Sequence, residues 1–514
     1  MDQIWVYTLS LVLISIFSCI FIIFVLKMYQ KTEQKQSINP PSPPHFPVIG
    51  HLHLLKQPLH RFLQELSYKY GPIYSLKFGF RPVIVISSPT IVEECFTKHD
   101  LILANRPRLL VGKHLHYDWT TLGAASYGPL WRKLRRVTTL EFFSNTKLNS
   151  TVDIRGEEMN LLVKGLFGIG KRDFVKVEMR PKFSELAFNV VMRMVTGKRY
   201  FGDEVEGVEE AKLFRGIVRD VSELSGAANP VDFFPSLRWF GVGKIEKKML
   251  VVRGKMDDFL NCMIEECKRN KMDDMVNALT KKAMIYKLLD MQEKDPQNYS
   301  DEIIKGIIMI MLTAGTDTTS VTMEWALSLL LNHPKVLNKA RLEIDNYVQN
   351  HRLLNESDIP YLPYIQNIVS ETLRLFPAVP LLSPHEPSED CTIAGYHVQR
   401  GTMVLINAWA IHRDTHLWDE PSRFRPERFE DMKIDDSRLV PFGLGRRSCP
   451  GAKLANRMVV LALGLLIQCF EWEKVGQKDV DLDEGFGLGM PKATPLEVMC
   501  RVRDSMDSVS ITYK

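Results

Sequence analysis

The chain has 514 residues, 45% hydrophobic and 25% charged, an ordinary globular balance with no low-complexity linker and no internal repeat. A formal net charge of +5, without a block of like charge, gives no footing for nucleic-acid binding. The eight cysteines (Cys19, Cys95, Cys262, Cys267, Cys391, Cys449, Cys469 and Cys500) form no CxxC pair and no zinc-finger spacing, which argues for reduced thiols and against a disulfide framework. One large domain behind a short leader is expected, deep enough to enclose a cofactor.

Residues 4–26 carry no charge and are dominated by Ile, Leu, Val and Phe. As a helix they reach roughly 34 Å, enough to cross a bilayer core. A cleaved secretory signal is the competing reading, but the run is longer than a signal core and its basic residues follow it. Lys27, Lys31 and Lys35 lie after the span and Asp2 before it, which leaves the bulk of the chain in the cytosol. The expected organisation is an anchor over 1–27, a basic and proline-rich hinge over 28–47, a catalytic domain over 48–505 and a tail over 506–514. In the hinge, Asn39-Pro-Pro-Ser-Pro-Pro-His-Phe-Pro47 cannot continue a helix and favours a stiff, extended spacer. An SH3 ligand is the rival reading of that segment.

An amphipathic helix follows over about 58–70, then two β-branched strands, Tyr74 to Phe78 and Pro82 to Ser87, across a turn at Gly79. Helical patterns fill most of 90–375. The clearest runs from Ser300, an N-cap followed by Asp301 and Glu302, to Asn332, with Pro334 beyond its end. Short strands and Gly/Pro turns dominate after residue 380, before a last apolar helix over about 452–470. The fold class expected is mainly α with a smaller β portion, preceded by a single transmembrane helix.

Five motifs carry chemistry. Trp131-Arg-Lys-Leu-Arg135 puts Trp131 and Arg135 on one helical face and sends Arg132, Lys133 and Arg136 elsewhere. An exposed basic helix accounts for it equally well. Ala314-Gly-Thr-Asp-Thr-Thr319 puts a glycine and hydroxyls in mid-helix, which weakens and bends a helix and places the acid Asp317 beside the alcohol Thr318. A bend with a solvated Asp is the plainer reading. Glu371-Thr-Leu-Arg374 sets opposite charges at i and i+3, and Phe424-Arg-Pro-Glu-Arg-Phe429 follows. Pro441-Phe-Gly-Leu-Gly-Arg-Arg-Ser-Cys-Pro-Gly451 wraps glycines and arginines round one cysteine, just ahead of a helix whose positive end faces the sulfur. A buried structural cysteine is the alternative.

That last stretch resembles the haem-binding signature of cytochromes P-450, Phe-x-x-Gly-x-Arg-x-Cys-x-Gly, at Phe442, Gly445, Arg447, Cys449 and Gly451. The remaining motifs occur in the family's usual order along almost the whole chain. The resemblance implies the cytochrome P-450 fold, haem b with Cys449 as the thiolate ligand of iron, and Arg447, Arg135 and Trp131 around the haem propionates. His385 falls where the family often carries a propionate-binding Arg or His. Ala314 allows close approach over the ring, Thr318 is the dioxygen-contacting hydroxyl and Asp317 its proton-relay partner. Glu371, Arg374 and Arg428 are implied as a structural network leading to the cysteine loop.

The wording of Pro-Pro-Ser-Pro-Pro, of Pro-Val-Ile-Gly-His-Leu from residue 47 and of the cysteine loop looks like a plant microsomal member, similar to flavonoid, isoflavonoid and lignan hydroxylases. The implied activity is NADPH-driven hydroxylation or oxidative cyclisation of a small apolar substrate at the endoplasmic reticulum membrane. NADPH-cytochrome reductase is the implied electron donor, with cytochrome b5 as a second partner, and no nucleic acid. Substrate contacts are implied at about 105–125, 214–240, the first half of the long helix, Ala378 to Leu382 and Phe486 to Met490. Terpenoid, alkaloid or fatty-acid hydroxylation stays open, as does an electron-independent haem-thiolate isomerase or dehydratase. A haem carrier or gas sensor leaves the acid–alcohol pair without a purpose.

Overall fold

Proline opens four of the longer helices, at Pro89, Pro129, Pro334 and Pro363, where its missing amide hydrogen costs no intrahelical bond and its fixed φ suits the first turn. The computed structural model describes residues 38–170, 173–202, 208–226, 229–240, 243–272, 283–348, 352–430, 437–485 and 487–506, with two isolated positions, 15 and 18. Apart from those two positions the expected anchor, the hinge before residue 38 and the tail after 506 lie outside the described residues.

In chain order the longer elements are α1 (Leu59–Tyr70), β1 (Ile73–Phe78), β2 (Arg81–Ile86), α2 (Pro89–Thr97), α3 (Pro129–Thr138), α4 (Val152–Ile169), β3 (Val175–Glu178), α5 (Met179–Thr196) and α6 (Val208–Gly226). They continue with α7 (Lys244–Met272), α8 (Met284–Lys294), α9 (Asp301–Asn332), α10 (Pro334–Val348), α11 (Pro363–Leu375), β4 (Cys391–Ile393), β5 (Tyr396–Val398), β6 (Met403–Ile406), α12 (Ala452–Cys469), β7 (Phe470–Lys474) and β8 (Glu497–Val502). The fold is mainly helical with a smaller sheet portion, as the sequence implies.

The predicted long helix is α9. The Ser300 hydroxyl accepts the Ile303 amide, Asp301 and Glu302 occupy the first turn, and the helix ends at Asn332. At about 1.5 Å per residue its 32 residues span about 48 Å. Every residue from Thr319 to Leu331 is buried, so α9 runs through the interior, against α5, α6, α11 and α12. Hydroxyls survive there by bonding their own helix: Thr313 donates to the Met309 carbonyl, Thr322 to Thr318 and Ser328 to Glu324. Among the described residues α12 alone is long and apolar enough to cross a membrane, but it is mostly buried and acts as a core helix.

The first sheet has the order β1-β2-β6. The predicted hairpin forms with Gly79 at φ +59, and β2 then pairs in parallel with β6, Val83 opposite Met403. The second has the order β3-β8-β7, all antiparallel, and β4 with β5 makes a small hairpin. Where described, the proline-rich hinge is docked: the Ser75 amide bonds the Pro41 carbonyl at 2.8 Å and His51 bonds that of Pro43 at 2.9 Å.

Candidate active site

An interior cavity of about 310 Å³ lies between α9 and the loop that precedes α12. Leu122, Val191, Ile310, Met311, Val379 and Leu382 give it a mainly apolar wall. Cys449 enters from the loop. Its amide closes a turn onto the Phe442 carbonyl at 2.8 Å, and Gly443 and Gly445 adopt φ of +68 and +65 to make that turn. A Cβ on Gly445 would sit 2.3 Å from Asp100 Oδ1, so no side chain fits there. Gly451 has an ordinary φ of −87 and serves instead as the N-cap of α12, a role the glycine pattern alone does not separate from a tight turn.

The Cys449 sulfur is open to the cavity but enclosed by protein elsewhere. Burial raises its thiol pKa, opposed by bonds from the Gly451 and Ala452 amides at the helix start and by the Arg135 guanidinium. The sulfur is therefore prepared to carry negative charge once a cation faces it.

From α9, Ala314, Gly315, Thr318 and Thr319 face the same cavity. The Thr318 hydroxyl donates to the Ala314 carbonyl at 2.7 Å, and the helix continues unbroken through the motif. Asp317 is placed differently. It does not line the cavity, and its carboxylate accepts a 3.1 Å bond from the Ser222 hydroxyl on α6. Burial raises its pKa against the opposing effects of Ser222 and Arg180.

One edge of the cavity is cationic. Arg106, Arg135, Arg447 and His385 all line it, and among the described residues no carboxylate pairs with any of these three arginines. Arg447 donates to the carbonyls of Ala104, Leu122 and Ala125 and stacks on Trp131 at 4.5 Å. Burial, with Arg106 and Arg135 nearby, pushes its pKa down to about 8. Burial lowers Arg106 to about 10, and its Nε has no hydrogen-bond partner among the described residues. His385 is held well below its usual pKa by burial and by Arg106, with Nδ1 2.8 Å from the Leu103 carbonyl. Phe442 and Trp131 complete this side. Half-buried arginines without carboxylate partners among the described residues, beside an apolar slot and a single thiol, fit a flat apolar macrocycle that bears carboxylates and an iron. The donor set thus fits haem.

The sequence motifs miss Arg106, which sits in a loop where periodicity carries no information. Arg132, Lys133 and Arg136 do point elsewhere and none lines the cavity: Arg132 and Arg136 are exposed, and the half-buried Lys133 donates to the Asn298 carbonyl and Oδ1 at 2.7 and 2.9 Å. The acid–base network behind the cysteine loop forms as expected. Arg374 and Arg428 both reach Glu371, at 2.6 and 3.0 Å, and all three are buried. Phe486 lies outside the described residues, while Ala378, Val379 and Leu382 do line the cavity.

The sequence model of the family described as Cytochrome P450 matches residues 40–496. The chain belongs to that family. This cytochrome P450 is 50% identical over 501 residues to cytochrome P450 81Q32 of Catharanthus roseus, covering 97% of this chain and 98% of that one. It is 49% identical to the (+)-piperitol/(+)-sesamin synthase CYP81Q2 of Sesamum radiatum, with 95% and 96% covered. With the isoflavone 3'-hydroxylase of Medicago truncatula the identity is 48%, with 95% and 97% covered. A zebrafish cytochrome P450 structure with progesterone superposes with a TM-score of 0.74 at 26% identity, over 87% of this chain and all of that one. The protein is accordingly a monooxygenase of the oxidoreductase class, which uses haem b and electrons from NADPH delivered through a reductase.

Proposed function

We propose that this cytochrome P450 hydroxylates, or oxidatively cyclises, a small apolar plant phenolic of the isoflavonoid or lignan kind. Cys449 would hold the haem iron through its thiolate, and Arg106, Arg135, Arg447, Trp131 and His385 would hold the propionates. In hydroxylation one oxygen atom of O2 enters the substrate and the other leaves as water with two protons and the two electrons of NADPH; in cyclisation the substrate gives up two hydrogens and both oxygen atoms leave as water. The haem supplies the oxygen chemistry. The chain's own residues exclude water, orient the substrate against Ala314 and deliver protons at the Thr318 hydroxyl, with Asp317 behind it. The observation that carries the reading is that Thr318 and Cys449 face one mainly apolar cavity with a cationic edge. The substrate class rests on relatives named for isoflavone hydroxylation and sesamin synthesis. An apolar leader followed by lysines supports anchoring at the endoplasmic reticulum with the domain in the cytosol.

The test is reconstitution in microsomes with NADPH-cytochrome reductase and a panel of isoflavones, flavones, lignans, terpenoids, alkaloids and fatty acids. A product one oxygen heavier, or two hydrogens lighter, from an isoflavone or lignan is expected. Turnover confined to the terpenoids, alkaloids or fatty acids would overturn the substrate class. Product without NADPH consumption would favour a haem-thiolate isomerase or dehydratase.

A further inference from the structure

Protons consumed inside a mainly apolar cavity must come from outside it, and the immediate surroundings of Asp317 indicate by which side. Thr318 and Thr319 line the cavity but Asp317 does not, so the carboxylate that stands behind Thr318 is turned toward α6. There Ser222 Oγ donates to Asp317 Oδ2 at 3.1 Å. Arg180, the cation nearest in effect, is engaged elsewhere: its guanidinium grips the buried Glu324 carboxylate at 3.0 Å and the Lys492 carbonyl at 2.8 Å. Ser222 stands between the interior and the solvent, since its neighbours on α6, Arg219 and Glu223, are largely exposed and it is itself partly accessible.

We infer that the Ser222 hydroxyl is the outer station of the proton path through Asp317, so that α6 as well as α9 takes part in supplying the reaction. A hydroxyl suits this place because it donates and accepts at one atom without becoming charged. In each passage Ser222 Oγ takes a proton from solvent as its own proton moves to Asp317 Oδ2. One O–H bond breaks on the serine and one forms, and the carboxyl then carries the proton toward the cavity. The inference rests on the reading of Asp317 and Thr318 given above.

A static anchor is the alternative, and substitutions at Ser222 separate the two. Ser222→Ala removes the hydroxyl, Ser222→Thr keeps it, and Ser222→Asn keeps a donor to the carboxylate that cannot pass a proton on. With an isoflavone or lignan turned over by the wild type, and at matched haem content, product formed per NADPH consumed is measured together with hydrogen peroxide and the solvent deuterium isotope effect. Water softens the loss, so a fall of about 3- to 10-fold in Ser222→Ala and Ser222→Asn is expected, with more peroxide and a larger isotope effect. Ser222→Thr should stay within about 2-fold of wild type, and adding Ser222→Ala to Asp317→Asn should cost nothing further. An unchanged ratio in Ser222→Ala, full activity in Ser222→Asn, or an additive loss in the double variant would each overturn the inference. If Asp317→Asn alone kept the wild-type ratio, the relay reading itself would fall, and this inference with it.

Discussion

His412 accepts the Val440 amide at Nε2, 2.9 Å away, and its Nδ1 donates to the Arg374 carbonyl at 3.1 Å. One fully buried imidazole thus fastens the arginine network to the segment that enters the cysteine loop. Replacing it with leucine leaves a buried amide and a buried carbonyl unpaired. At about 1–3 kcal/mol for each group, His412→Leu should lower stability by roughly 2–6 kcal/mol and loosen the loop. Thermal midpoint and haem content, measured together, check this; a variant that melts like wild type with full haem would show the bond to be dispensable.

The same burial makes a pH prediction. Burial, then Arg374 and Arg413, push His412 down to about 3, and burial alone pushes His116 down to about 4, from an ordinary value of 6.5. Between these values the unfolded chain binds protons that the folded one refuses, so stability is fully present above about pH 6.5 and falls as the pH drops through that window. Urea midpoints at about pH 7.5, 6 and 5 should decline, and His116→Gln should flatten the decline. A midpoint independent of pH would contradict the assignment of imidazoles held neutral by the fold.

Cys449→Ala should keep the fold of the apoprotein and abolish the red-shifted band that reduced cytochromes P450 show with carbon monoxide. Arg106→Gln should keep that band but weaken haem retention, since one carboxylate-free cation leaves the cavity edge. Transfer of haem to apomyoglobin reads this second effect without an activity assay. Survival of the band in Cys449→Ala would remove the thiolate assignment.

The elements most readable in the residues are those whose signals are local. Ser300, Asp301 and Glu302 announce the start of α9, and the i, i+3 spacing of Glu371 and Arg374 announces their pairing. What stays hidden is set by distant chain. Asp317 meets Ser222, Lys133 meets Asn298 and His412 meets Val440, contacts that depend on which helix faces which and leave no periodic trace. Arg106 is hidden for the same reason: only the fold sets it at the cavity edge beside Arg447, with no carboxylate partner among the described residues. The glycines of the cysteine loop divide on this line too, Gly443 and Gly445 by conformation and Gly451 by position at a helix start.

Thr318→Ala should leave substrate binding and the thiolate spectrum nearly intact, because a single hydroxyl that bonds only its own helix is lost. Product per NADPH should fall while hydrogen peroxide accumulates. A positioned proton-transfer group contributes typically about 10²–10⁴-fold, and the loss should reach the lower part of that range because water substitutes in part. An unchanged ratio would leave Thr318 as a packing residue.

Deleting residues 1–27 should release most of the protein from membranes and leave haem incorporation intact. A residual hold is expected from apolar side chains that surface together. The Gly79 amide bonds the Ile49 carbonyl and that of Phe80 bonds Phe233, gathering exposed Phe46, Val48, Ile49, Phe80, Leu237 and Trp239. A large apolar side chain gains about 1.5–3 kcal/mol on full burial, so Trp239→Ser with Phe80→Ser in the truncated chain should weaken liposome binding by 10-fold or more. Equal flotation of both truncated proteins would place the residual contact elsewhere.

The parallel pairing of β2 with β6 sets a schedule for the newborn chain. Val83 waits for Met403, about 320 positions downstream, so the first sheet cannot close until most of the polypeptide has left the ribosome. The cavity is later still: Arg106 is made early, but Cys449 and the first turns of α12 follow only after α5 and α9. Haem capture therefore waits for α12. Until then the apolar faces of α5 and α9 stand unsheltered, and haem available when α12 emerges shortens the time for which chaperones and proteases meet them.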